Sequence, residues 1–118
     1  MATINYTKEV NPESGYVKVE WAGMSADDDG QIFECAGLKL VSAHYWGDLS
    51  QGGNSKITVM ASNEVSPSNF SEFLYSFSPK VYPGQETPAI DMAVGAVMPV
   101  ANANVTSGGV ALLFVPRP

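Results

Sequence analysis

Histidine occurs once in this chain, at His44, and cysteine once, at Cys35. Any Ser-His-Asp or Cys-His device for nucleophilic catalysis has to be built on one of these two residues. His44 lies in the apolar run LKLVSAHYWG beside Tyr45 and Trp46, so it reads as a packed or hydrogen-bonded imidazole. Cys35 stands between Glu34 and Ala36 with no basic neighbour to favour the thiolate, which makes it an inert, partly buried thiol. The run Asp27-Asp28-Asp29 before Gly30 is the candidate for a hard cation, because such ions take clustered carboxylates. Adjacent side chains in a turn diverge, and the alternating acidic spacing and distal Glu of an EF-hand are missing, so the run reads as a solvated turn. Gly52-Gly53 and Gly108-Gly109 lack a following Gly-Lys-Ser/Thr and read as turns, not phosphate loops. The residues assign no catalytic, metal-binding or cofactor-binding group, and a non-enzymatic binding protein is expected.

Composition narrows the partners. Six basic residues against 12 acidic ones give a formal charge of -6, and Lys8, Lys18, Lys39, Lys56, Lys80 and Arg117 are scattered along the chain. A phosphate backbone would be repelled, so nucleic acid is not an expected partner. No stretch approaches the roughly 20 apolar residues of a membrane span, and the start of the chain has neither the basic nor the apolar character of a signal peptide. Synthesis in a reducing cytoplasm is expected, and a single cysteine forms no intrachain disulfide.

The elements that must carry these residues are short. At 118 residues the chain has the length of one domain, and 11 Gly with 8 Pro suit strands joined by turns. Residues 1–14 are polar with isolated apolar side chains, and Asn11-Pro12 interrupts the chain before the first alternating strand, so they read as an extended N-terminal arm. The domain proper is then 15–118. Val17, Val19 and Trp21 alternate with Lys18 and Glu20, the period of a half-buried strand. A second apolar stretch covers 31–35. The longer run 38–46 is apolar on both faces and reads as a central strand. A strand over 56–61, an edge strand over 80–85, one strand over 89–100 and a last strand over 110–115 complete the pattern. The spacing of Phe70, Phe73, Leu74 and Phe77 leaves a helical turn and an irregular strand both open. About seven or eight strands predict an antiparallel β-sandwich, jelly-roll or immunoglobulin-like, with no helix for a βαβ crossover.

That layout also picks out contact residues. The arm's Ile4, Tyr6 and Val10 are apolar side chains on a segment suited to lie along a neighbour by strand addition. Removal of the arm is accordingly expected to leave the sandwich folded. Tyr45 and Trp46 are sequence neighbours on a strand and face opposite ways, so one of them is free to anchor an interface. Trp21 is expected in the core.

The stretches VKVEWAGMSADDDGQIFECAG, LKLVSAHYWGDLSQGGNSKITVMASN and MPVANANVTSGGVALLFVPRP together resemble the β-sandwich virion proteins of bacteriophages, of the head decoration or cement type. The shared pattern is a strand ending in Trp before a Gly-Asp-rich turn, a Gly-Gly loop, a strand ending in Ser-Asn, and a Gly-Gly turn that delivers the last strand. Glu64-Val65 stands where members often have Asp-Gly. The resemblance implies a capsid decoration protein on the outer surface of the virion. Its partners would be the major capsid protein lattice and other copies of itself, as a dimer or trimer, and it carries no cofactor. The alternative from the residues is a carbohydrate- or receptor-binding module of a tail or adhesin, with Trp21, Tyr45, Trp46 or Tyr82 stacking on sugar rings.

Overall fold

The computed structural model describes residues 2–47, 56–62, 72–77, 85–86, 89–92 and 95–117. Within them lie twelve stretches of strand: β1 (Thr3–Ile4), β2 (Thr7–Val10), β3 (Val17–Met24), β4 (Asp29–Gly30), β5 (Phe33–Glu34), β6 (Leu38–Gly47), β7 (Ile57–Ser62), β8 (Glu72–Phe77), β9 (Gln85–Glu86), β10 (Ala89–Met92), β11 (Ala96–Ala101) and β12 (Gly108–Pro116). They form two sheets packed face to face. The first runs β1-β4-β11-β7-β8, with β5 also on β11; the second runs β10-β6-β12-β3-β2, with β9 also on β6. All pairings are antiparallel except β1 with β4. The fold is an antiparallel-dominated β-sandwich, as the turn spacing predicts. No helix among the described residues is long and apolar enough to cross a membrane.

The core follows from the two-residue period. In β3, Val17, Val19 and Trp21 are buried while Lys18 is exposed and Glu20 half-buried. Antiparallel register carries the inward set across the sheet in rows: Val17, Phe114 and Leu40, then Val19, Leu112 and Ala43, then Trp21, Val110 and Tyr45. The register slips between Leu113 and Phe114, so Val41 is the extra residue of a bulge. That bulge lets Leu40 and Ala43 face the same core although an odd number of positions separates them. It also explains why 38–46 reads as apolar on both faces.

The facing sheet supplies Phe33, Ile57, Val59, Ala61 and Val97. Gly30 packs closely between its neighbours: a Cβ there would strike the Pro99 ring in its own sheet and lie 2.7 Å from Cδ1 of Trp21 in the facing one. The buried indole satisfies its one donor there, with Nε1 donating to the Gln31 carbonyl oxygen at 3.0 Å.

One segment differs from the sequence reading, and one that the sequence leaves open is decided. The stretch 89–100 is two strands in opposite sheets. Ala89 and Met92 pair with Ser42 and Leu40 of β6, whereas 96–101 pairs with β7. Gly95 ties the second half to the first sheet by donating to the Ser62 carbonyl at 2.8 Å and accepting from the Cys35 N–H at 2.9 Å. Residues 72–77 are a strand against β7, because the open edge of β7 offers hydrogen bonds that one isolated helical turn lacks.

The N-terminal segment is extended and paired within the chain. Thr3 and Ile4 lie parallel to Asp29 and Gly30 in one sheet, and 7–10 lie antiparallel to 17–20 in the other. Between these pairings Tyr6 crosses the open side of the sandwich. Its ring meets Phe33 edge-on at 5.4 Å.

Candidate functional site

Three adjacent strands, β3, β12 and β6, make the middle of the second sheet, and their register decides what meets on its outer face. Ala111 lies opposite Glu20 on one side and His44 on the other. One row along, Leu113 lies opposite Lys18 and Ser42, and in the other direction Gly109 lies opposite Trp46. Lys18, Glu20, Ala111, His44 and Trp46 together line an open groove of about 510 Å³.

The groove has an aromatic end and a charged end. A Cβ at position 109 would collide with Cζ2 of Trp46 and stand 2.7 Å from Cε2, so the six-membered ring of the indole rests on bare backbone. Glycine is required there by the close approach, and it fixes the indole against the sheet. The His44 ring stands beside it, centroids 5.9 Å apart and tilted by 41°. Opposite them the Lys18 ammonium and the Glu20 carboxylate are 3.8 Å apart. This arrangement offers an apolar stacking surface, an acceptor and a donor around the small floor residue Ala111.

The residues singled out by sequence are separated by the fold. Tyr45 is wholly buried in the core and Trp46 is half-buried on the groove, which settles the phase of the alternation. Ile4 and Tyr6 are partly buried against the core of their own chain. Val10 is 53% exposed at the end of β2. Its cross-strand partner is Val17, whereas Tyr16, 47% exposed, lies opposite Asn11, whose N–H donates to the Tyr16 carbonyl at 2.8 Å. Among the described residues β2 ends its sheet, so the exposed Val10 side chain stands beside backbone that a further strand could pair with. Tyr82 and Gly52-Gly53 lie outside the described residues.

The acidic run takes three directions. Asp27 is exposed at φ 60°, Asp29 is in β4, and Asp28 is turned inward, 5% exposed. The Asp28 carboxylate accepts from the Ser25 N–H at 2.8 Å, the Ser25 hydroxyl at 3.0 Å and the Ala2 N–H at 3.0 Å. The Ser25 backbone donor above all holds the Asp28 carboxyl below its ordinary value of 3.8, against the opposing effect of burial. Among the described residues no three His, Cys, Asp or Glu side chains gather as a metal-holding group. Cys35 is buried, and desolvation pushes its thiol up to about 11.

Lys18, Glu20 and Ala111 carry no mark in sequence beyond the alternation that turns them outward. Their meeting with His44 depends on β12 inserting between β3 and β6, strands that are adjacent in neither sequence nor space.

No protein-family model matches the chain, and no curated protein matches it. Solved structures share its shape at low identity. A cupin domain from Bordetella pertussis aligns over 96% of this chain and 92% of its own at 11% identity and TM-score 0.38. A carbohydrate-binding module of Cellvibrio mixtus lichenase 5A aligns over 96% and 87% at 11% identity and TM-score 0.33, and neither score bears on function. A chain from the capsid of Ralstonia phage GP4 aligns over 98% of this chain and 99% of its own, at 14% identity and TM-score 0.53. The fold of this protein is therefore similar, end to end, to that of a phage capsid chain.

Proposed function

We propose that this chain is a non-enzymatic structural subunit of a bacteriophage virion, a decoration protein that binds the major capsid protein lattice on the outside of the head and stabilises it. The observation that carries the reading is the end-to-end likeness of fold to a chain of the Ralstonia phage GP4 capsid, with almost nothing left over on either side. The three stretches that resemble phage cement proteins point the same way. The edge of β2, which ends its sheet among the described residues and carries the exposed Val10, offers a neighbouring subunit or capsid strand both backbone hydrogen bonds and apolar contact. A net charge of -6 suits a shell exterior, where the packaged genome is not a competing partner.

Attachment in many copies turns a modest contact into a strong one, and binding to the assembled head alone stabilises it by linkage. Heads assembled without the protein should form yet break at lower temperature or under osmotic shock, and purified protein added back should restore them. Heads of equal robustness with and without saturating protein would overturn the cement role.

A further inference from the structure

The groove on the outer face of the second sheet plays no part in the capsid reading, since the exposed edge at β2 supplies that contact. We propose that the groove is a saccharide-binding site that takes one or two pyranose rings of a neutral glycan, with Trp46 as the stacking platform. Such a site depends on the groove alone, whatever the virion role of the chain.

Four features select this ligand. The Trp46 indole is seated on Gly109 before any ligand arrives, so stacking the C–H face of a sugar ring on it costs little ordering. His44, 5.9 Å away and tilted by 41°, extends the platform with a second ring face. Lys18 and Glu20, 3.8 Å apart, supply a donor and an acceptor that adjacent sugar hydroxyls, each both donor and acceptor, can satisfy together. Their charges cancel: an anion drawn to Lys18 is repelled by Glu20, and a cation the reverse, which leaves a neutral polyhydroxyl compound as the complementary class. The volume of about 510 Å³ falls within the roughly 300–1,000 Å³ of small-molecule sites, and Ala111 keeps the floor low enough for a ring to sit down.

A titration of the full chain with glucose, galactose, mannose, N-acetylglucosamine, maltose, cellobiose and lactose, followed by intrinsic fluorescence and saturation-transfer NMR, tests the site. Trp21 is wholly buried, so a fluorescence change reports Trp46. At least one sugar should bind with a Kd in the millimolar range or tighter. Trp46→Ala should weaken it at least tenfold, and Glu20→Ala, a substitution on the sheet surface that spares the core, about fivefold. An array of immobilised oligosaccharides separates a surface glycan, bound only as a longer chain, from a free sugar, and either result supports the site. Binding to neither the sugars nor the array overturns it, as does sugar binding that survives both substitutions. Loss of head attachment in Trp46→Ala without any sugar binding would make the groove a protein contact and end the saccharide reading. Head attachment measured separately on the unsubstituted protein keeps failure of the capsid role distinct.

Discussion

The Tyr6 ring meets the Trp21 indole edge-on, with centroids 5.9 Å apart and planes at 74°. Through this contact the N-terminal segment closes the side of the sandwich, because Trp21 is the largest fully buried side chain and Tyr6 also packs on Phe33. The segment's backbone serves both sheets, and its aromatic side chain fills the space between them.

Tyr6→Ala should therefore destabilise the fold by about 2 kcal/mol, from lost area and a lost edge-to-face pair, with Tyr6→Phe close to neutral. Removal of residues 2–10 should cost more, since it also strips partners from β3 and β4. Urea unfolding at matched slope measures both. A truncated chain as stable as the full one would show that the pairings of β1 and β2 contribute nothing.

Asp28 makes stability depend on acid. Its carboxyl is lowered from 3.8 in the fold by the Ser25 and Ala2 donors, so the folded state favours the charged form. The contribution is complete above the unfolded value and is lost as pH falls through the lower folded value. The unfolding midpoint should drop as pH goes from about 4 toward 2, with hydrogen exchange first accelerating in residues 2–4. Asp28→Asn should be less stable at pH 7 and flatter across that range; an equal acid slope in the variant assigns the effect to other carboxylates.

Cys35 should be silent in the folded protein. With the thiol buried and raised to about 11, thiolate is scarce at neutral pH, and alkylation should proceed only after unfolding. Iodoacetamide labelling across a denaturant series checks this: modification should follow the unfolding transition. Rapid labelling of native protein would place the sulfur at the surface.

Gly109→Ala tests the seat of the indole. The new methyl meets both the Trp46 ring and, at 2.5 Å, the Trp21 carbonyl oxygen, so the indole must lift off the sheet and the strand must shift with it, at a cost of about 1–3 kcal/mol. Fluorescence emission should shift to the red as Trp46 gains water. An unshifted spectrum with unchanged stability would mean that the indole does not rest there.

How much of the fold and the groove was legible in sequence depends on the range of the information. The strands over 17–24, 38–47, 57–62 and 108–116 follow from alternation and turn residues, which are local, and so does the fold class. Local alternation also places Tyr45 and Trp46 on opposite faces. Which of the two faces the core is a matter of phase, and the bulge at Val41 together with pairing to Val110 sets it. The split of 89–100 has the same origin: a period of two marks inward residues and is blind to which sheet a strand joins. The N-terminal segment reads as an arm because its pairings, Thr3 with Asp29 and Thr7 with Glu20, are invisible until the other strands are in place.

Sequence by itself determined that this chain is a small acidic β-sandwich with one inert thiol, one histidine and an outward-facing charged row on its first long strand. The tertiary structure alone decided that Lys18, Glu20, Ala111, His44 and Trp46 form one groove. Those residues come from three strands, and hydrogen-bond register between strands distant in sequence is fixed by the joint packing of both sheets, a property of the whole chain that no window of it contains.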